Sequence, residues 1–390
     1  MLLTGTGRLA PGGRSPWAIQ IGDDGRIRWV GAPADAPADA EQADLGGALV
    51  TPGLVDSHTH PVFAGDRSDE AAARLEGAPY TGGGILRTVA ATRETNDAEL
   101  ERLLGGRLLA ALAAGTTTVE CKTGYGLSPE EELRHLRIIR RVAERTPVRV
   151  VPTLLGAHAV PSGSATEAHV DVVVRDMISA AAAEGLADFV DVFVDRGFFG
   201  LEDAERIATA AARAGLGVRL HADQLERTGA AELGARVGAA SVDHLEQLDE
   251  SGIRALSGSR TVATLLPAPA IVLRDRLPPA RALLDAGATI AIATDANAGT
   301  YGGFGTMPLA IGLGATLLQL TVAEALTAAT AGGAAALRRN DLGRIEAGAM
   351  ADLVAWDAEH EGAFALRLGA VRPLRVWIGG REIGHREASV

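Results

Sequence analysis

The 390-residue chain has one cysteine, one lysine and only 4% aromatic residues. A lone cysteine, Cys121, cannot form an intramolecular disulfide and excludes a cysteine-rich zinc site. Positive charge is also short. Lys+Arg number 37 against 49 Asp+Glu, a net charge of −12, and no basic patch stands out. A phosphate backbone would be repelled, so nucleic acid is not an expected partner. The longest uncharged stretch, 296–323, holds six glycines with Asn297, Pro308 and Gln319. It reads as loop plus buried helix, not as a membrane span. The first residues lack a basic segment followed by an apolar core, so no secretory signal is expected. Apolar residues are plentiful, at 47%, which suits a globular core and excludes a disordered chain. A cytoplasmic protein is the expectation. The other 36 basic residues are all arginine, which fits a GC-rich codon bias. One count assigns no role to Lys122.

Both ends of the chain read as short strands. Runs 17–22 and 26–31 flank Asp23-Asp24-Gly25, a hairpin signal, and runs 351–356 and 374–378 precede a Gly379-Gly380 turn. Between them, apolar strand-like runs recur eight times, at 49–56, 117–122, 148–155, 189–194, 216–221, 240–243, 261–266 and 289–294. Helix-like stretches alternate with them, at 97–113, 128–145, 167–185, 202–214, 229–236, 249–257 and 278–286, then 306–319 and 321–337. Parallel neighbours need crossovers, and eight such units match a (β/α)8 TIM barrel of ~250 residues better than an open sheet. The expected layout is a barrel over 52–340 and a small β-sandwich domain built from 1–51 plus 341–390.

Barrel enzymes place their chemistry at the carboxyl ends of the strands. Strand one ends in His58-Thr59-His60, strand five in His221, strand six in Asp243-His244 and strand eight in Asp295. The chain has only nine histidines, so this clustering is informative. A lone His-x-His is more often surface decoration or a strand cap, but the partners at strands five and eight change that balance. Residues two apart on a strand share a face, so His58 and His60 point together. With His221 and Asp295 they form a mononuclear metal set with room for water, suited to Zn2+ or Fe2+.

These residues resemble the amidohydrolase superfamily, and more finely the imidazolonepropionases within it. The matching segments are His60-Pro61-Val62-Phe63-Ala64-Gly65-Asp66-Arg67, Gly82-Gly83-Gly84-Ile85, Lys122-Thr123-Gly124-Tyr125-Gly126-Leu127, Leu155-Gly156-Ala157-His158, His221-Ala222-Asp223-Gln224 and Thr294-Asp295-Ala296-Asn297-Ala298-Gly299-Thr300. The tail Leu342-Gly343-Arg344-Ile345-Glu346-Ala347-Gly348 is similar as well. The binuclear branch carries a lysine at strand four. Here that strand ends Val194-Asp195-Arg196-Gly197, so the resemblance implies one metal. Ala298 stands where the family usually has proline, and Gln224 where some members have glutamate.

The resemblance implies a hydrolase that opens the ring of 4-imidazolone-5-propanoate to N-formimino-L-glutamate. A bound divalent ion would lower the pKa of water from 15.7 toward ~7. Asp295 would ligate the ion and move the proton, His244 would polarise the carbonyl, and Gln224 would orient the ring amide. Arg67 is expected to hold the propionate in a two-bonded clamp. Tyr125, His158, Asn297, Gly299 and Thr300 are further substrate contacts, with Tyr80 a weaker candidate for the carboxylate. Lys122 would orient that pocket or be a loop cation. Gly82, Gly83 and Gly84 lack the strand–GxxxxGK–helix setting of a phosphate cradle and read as a loop near the site. The family further implies a homodimer. Two other functions fit the same residues. A mononuclear purine or pyrimidine deaminase would normally place glutamate where Gln224 stands. A non-catalytic scaffold would usually have lost ligands, and none is lost here.

Overall fold

The computed structural model describes residues 1–37, 42–77 and 84–384. Tyr80, Gly82 and Gly83 lie outside the described residues. Four strands, β1 (Leu2–Gly5), β2 (Trp17–Ile21), β3 (Ile27–Gly31) and β4 (Gln42–Asp44), form a sheet in the order β3-β2-β1-β4. Next come β5 (Leu49–Pro52) and eight strands that share one sheet. These are β6 (Leu54–Asp56), β7 (Thr116–Lys122), β8 (Arg149–Ala157), β9 (Phe189–Val194), β10 (Gly217–Ala222), β11 (Ser241–His244), β12 (Val262–Leu265) and β13 (Ile290–Ile292). All neighbours in this sheet run parallel. The tail adds β14 (Leu353–Trp356), β15 (Pro373–Ile378) and β16 (Arg381–Glu382), in the sheet order β16-β15-β14-β5. The architecture is therefore the expected (β/α)8 barrel with extra sheets from both termini.

The barrel closes at the candidate site itself. Just past the ends of β6 and β13, Asp295 N donates to His58 O at 3.0 Å and His60 N donates to Ala296 O at 2.9 Å. Thr59 and Ala296 form a parallel bridge beside them.

One expectation is corrected. The run 49–56 is not a single barrel strand. It divides at Gly53, with β5 pairing antiparallel to β14 and β6 pairing parallel to β7. An added Cβ at Gly53 would lie 2.2 Å from Thr117 Oγ1, so only glycine permits this crossing.

Helices pack outside the barrel. Pro129–Ala143 shows why they form where they do. Ser128 caps its N-terminus by accepting from Glu131 N, Pro129 occupies the first turn, and Leu133, Leu136 and Ile139 make the buried stripe. Two expected long helices are interrupted by π-helical turns, Val173–Met177 and Ala328–Gly332. Gly332 and Gly333 then lie against the barrel, where added Cβ atoms would sit 2.2 Å from Ile290 O and 2.5 Å from Val55 O. Helices Ser68–Leu75, Gly84–Glu94, Pro267–Leu273 and Ala363–Leu366 have no counterpart in the pattern above. Ser68–Leu75 buries no residue, so it has no apolar stripe to read. Gly84, expected in a loop, lies in a helix instead.

Candidate metal centre and substrate cavity

His58 and His60 follow β6, His221 lies in β10, and Asp295 follows β13 at φ 49°. Their polar atoms converge. His60 Nε2 stands 3.3 Å from both His58 Nε2 and His221 Nε2. Asp295 Oδ1 is 3.5 Å from the Nε2 atoms of both His58 and His60. Nitrogen and oxygen ligands about 2.0–2.2 Å from a tetrahedral centre stand roughly 3.3–3.6 Å apart, so these separations fit one ion. Three imidazoles aimed at one another otherwise crowd lone pairs together. His58, His244 and Asp295 form a second group of suitable donors, sharing two of the same residues.

Two of these histidines are oriented from behind. His58 Nδ1 lies 2.8 Å from Asp243 Oδ2, and His221 Nδ1 lies 3.1 Å from Asp191 Oδ2. A carboxylate only accepts, so each Nδ1 carries the proton and each Nε2 presents its lone pair. Burial holds the pKa values of His58 and His60 well below the ordinary histidine value and lowers that of His221. The neutral rings are the form a metal takes.

His244 ends β11 at φ 84°, in the left-handed region that few non-glycine residues adopt. Its Nδ1 lies 3.5 Å from Glu246 Oε1, and both side chains are buried. Burial opposes charge on His244, but Glu246 and Asp295 outweigh it and raise the pKa above the usual value. Burial pushes the Asp295 carboxyl up to about 7, against the attraction of His244.

Residues 49–383 match the amidohydrolase family model. The imidazolonepropionase of Rhizorhabdus wittichii is 47% identical over 374 residues, covering 93% of each chain. That of Ectopseudomonas mendocina is 49% identical over 337 residues, covering 84% of this chain and 83% of its own. The chain belongs to the imidazolonepropionase family of amidohydrolases. Solved structures share the fold at lower identity. A mutant of atrazine chlorohydrolase from Arthrobacter aurescens, complexed with zinc and atraton, has a TM-score of 0.78 at 20% identity, covering 100% of this chain and 96% of its own. The 5-methylcytosine deaminase of Klebsiella pneumoniae has 0.77 at 18%, covering 98% and 97%. With its family and its His/Asp cluster, this imidazolonepropionase-family chain has a site suited to a divalent metal.

The expected substrate residues gather around that centre. Arg67, Tyr125, His158, Gln224, Asn297 and Thr300 line one cavity with His60, His221, His244 and Asp295. Its free space is about 30 Å3. A larger cavity of about 650 Å3 opens beside the terminal sheets near Arg28, Trp29 and Arg344. It contains no histidine, so the chemistry points to the smaller space. Asn297 ties its own loop, donating from Nδ2 to Asp295 O and Thr300 Oγ1, both at 2.6 Å. Its Oδ1 accepts from Gly299 N at 2.7 Å. Gly299 is thus a turn residue behind the lining, its carbonyl accepting from Arg74 Nη2 at 2.8 Å. His158 Nδ1 bonds Gly124 O at 2.9 Å, which leaves Nε2 as an acceptor. Arg67 is only 5% exposed and donates from Nε and Nη2 to Glu70. A substrate carboxylate would share the guanidinium with Glu70. Lys122 is not in the loop. It ends β7 inside the barrel, wholly buried.

The sequence reading missed the supporting charges. Asp195 accepts from the backbone N–H groups of Gln224, Leu225 and Glu226, at 3.0, 2.7 and 3.1 Å, and so fixes the segment carrying Gln224. Glu132 accepts from Gly124, Gly126 and Leu127 N at 3.0, 2.8 and 2.7 Å, shaping the loop that bears Tyr125. Glu120, Asp191, Arg219 and Asp243 fill the barrel floor, all fully buried. Their signal was present: charged residues inside apolar strand runs, where a buried charge needs a partner.

Proposed function

We propose that this chain hydrolyses the ring amide of 4-imidazolone-5-propanoate to N-formimino-L-glutamate, a step in histidine breakdown. The observation that supports this is a buried donor cluster in which His58, His60 and His221 group together and Asp295 Oδ1 lies 3.5 Å from the Nε2 atoms of His58 and His60. It occurs in a chain nearly half identical to imidazolonepropionases along most of its length. Those four residues would hold one Zn2+ or Fe2+. Such an ion supplies Lewis acidity and lowers the pKa of water toward ~7.

The protein groups do the rest. Asp295 takes a proton from the attacking water and passes it to the leaving ring nitrogen. The oxygen–carbon bond forms at the ring carbonyl, and the carbon–nitrogen bond breaks. His244, steadied by Glu246, polarises the carbonyl and stabilises the charge that develops on its oxygen. Gln224 cannot titrate, so it orients the ring amide through its own donor and acceptor. Tyr125 and His158 bound the substrate on one side, and Asn297 and Thr300 on the other, with Gly299 shaping their turn. Arg67 receives the propionate. Residues 52–340 form the catalytic barrel in this scheme, braced by a β unit from 1–51 and 341–390, in a cytoplasmic homodimer.

The test is a direct assay with imidazolone propionate, following the loss of ring absorbance and the appearance of N-formimino-L-glutamate. Ammonia release from guanine, cytosine or adenosine without ring opening would instead mark a deaminase.

A further inference from the structure

The two oriented ligands, His221 and His58, are joined beneath the metal centre by an unbroken line of alternating charge. His221 Nδ1 lies 3.1 Å from Asp191 Oδ2, which lies 2.6 Å from Lys122 Nζ. Lys122 Nζ lies 2.9 Å from Glu120 Oε1, and Arg219 Nε lies 3.0 Å from that same oxygen. Arg219 Nη2 lies 3.0 Å from Asp243 Oδ2, which lies 2.8 Å from His58 Nδ1. Lys122 also stands 3.9 Å from Asp243 Oδ2. All five charged side chains of this line are fully buried.

Stability alone does not account for such a line. Burying ions costs several kcal/mol each, and well-packed apolar replacements are often neutral or better. What the line does provide is geometry. Each carboxylate that aligns a ligand imidazole is itself held by a cation, and Glu120 ties the two cations together. His60, the third histidine, has no such support, since its buried Nδ1 meets no hydrogen-bond partner among the described residues. Lysine suits its place. Its ammonium is a compact charge with three N–H donors, and Glu120, Asp191 and Asp243 surround it.

We propose that Lys122, the single lysine of the chain, is a positioning residue that couples His221 to His58 through Asp191, Glu120, Arg219 and Asp243, and thereby sets metal affinity. The proposal rests on the metal centre described above but not on the identity of the substrate.

The full chain is purified metal-free and titrated with Zn2+ against a chromophoric chelator, beside Lys122→Met. The parent should bind one ion tightly, and the variant should bind it roughly tenfold to a hundredfold more weakly. The melting temperature of the metal-free form reports a merely structural role. If Lys122→Met melts lower but binds Zn2+ within twofold of the parent, the proposal is overturned. If the parent itself binds no metal, the metal centre fails first, and the two failures are distinct. Should the variant not fold, the parent still decides. Lysine labelled with 15N at Nζ gives one side-chain signal in this chain. That signal should move when Zn2+ is added, because Asp191 follows His221. A signal unchanged between metal-free and loaded protein overturns the coupling.

Discussion

Arg67 spends two guanidinium donors on Glu70, at 2.9 Å from Nε and 2.7 Å from Nη2. The pair keeps the head group of a nearly buried arginine at the cavity wall, close to Gly299. Arg67→Met should therefore cost about 2–4 kcal/mol in kcat/KM for imidazolone propionate, because the substrate carboxylate loses its charged partner. Metal content should stay the same. An analogue without the carboxylate should be a poor substrate for the parent and nearly indifferent to the change. Equal losses on both compounds would assign Arg67 to loop structure or to the chemistry. Arg67→Lys should also lower kcat/KM, since lysine cannot copy the planar fork shared with Glu70.

Elemental analysis should find about one equivalent of Zn or Fe per chain. His60→Ala should remove both metal and turnover, because its Nε2 lies 3.3 Å from the Nε2 atoms of His58 and His221, the other histidines proposed to hold the ion. Two equivalents in fully active protein would refute the single-ion centre.

His244→Asn should retain metal and lose roughly 10²–10³ in kcat, the usual cost of removing one oxyanion partner. Asparagine tolerates the left-handed backbone at φ 84°, so the variant tests the ring and not the fold. Near-normal turnover with metal bound would make His244 structural.

His135 offers a pH prediction away from the metal. It sits in Pro129–Ala143, and burial depresses its pKa to about 3. Both ring nitrogens lack hydrogen-bond partners among the described residues. The unfolded chain takes up this proton near pH 6.5 and the folded chain only near pH 3. Its contribution is thus fully present above about pH 6.5 and is lost as pH falls through that window, by roughly 2 kcal/mol at pH 5. Urea titrations at pH 7 and pH 5 should show a smaller loss for His135→Leu than for the parent. Parallel losses in the two proteins would mean that His135 does not fold as a neutral group.

Sequence periodicity exposed the barrel because eight strand-like runs alternate regularly with helix-like stretches. It exposed His58, His60, His221, His244 and Asp295 because their residue types recur at strand ends. It concealed what depends on three-dimensional closure. The break at Gly53 is set by the approach of Thr117, which lies 64 residues away in sequence and close in space. The pairing of Arg67 with Glu70 follows from a helix that buries nothing and leaves no periodic trace. Lys122 could be read only as orienting the carboxylate pocket or as a loop cation, because no linear pattern shows that Asp191 and Asp243, from two other strands, turn toward the same ammonium.

The pairing of β5 with β14 bears on how the chain reaches this shape. Trp356 Nε1 donates to Thr51 Oγ1 at 2.9 Å across a sequence separation of 305 residues. During synthesis, Leu49–Pro52 must wait for most of the barrel to emerge before its partner exists. Meanwhile it presents an apolar edge, open to another nascent chain. The step that seals β5 should come late, since contacts of such high contact order are slow to form. A chain cut short before Leu353 would leave that edge permanently exposed, with aggregation as the outcome.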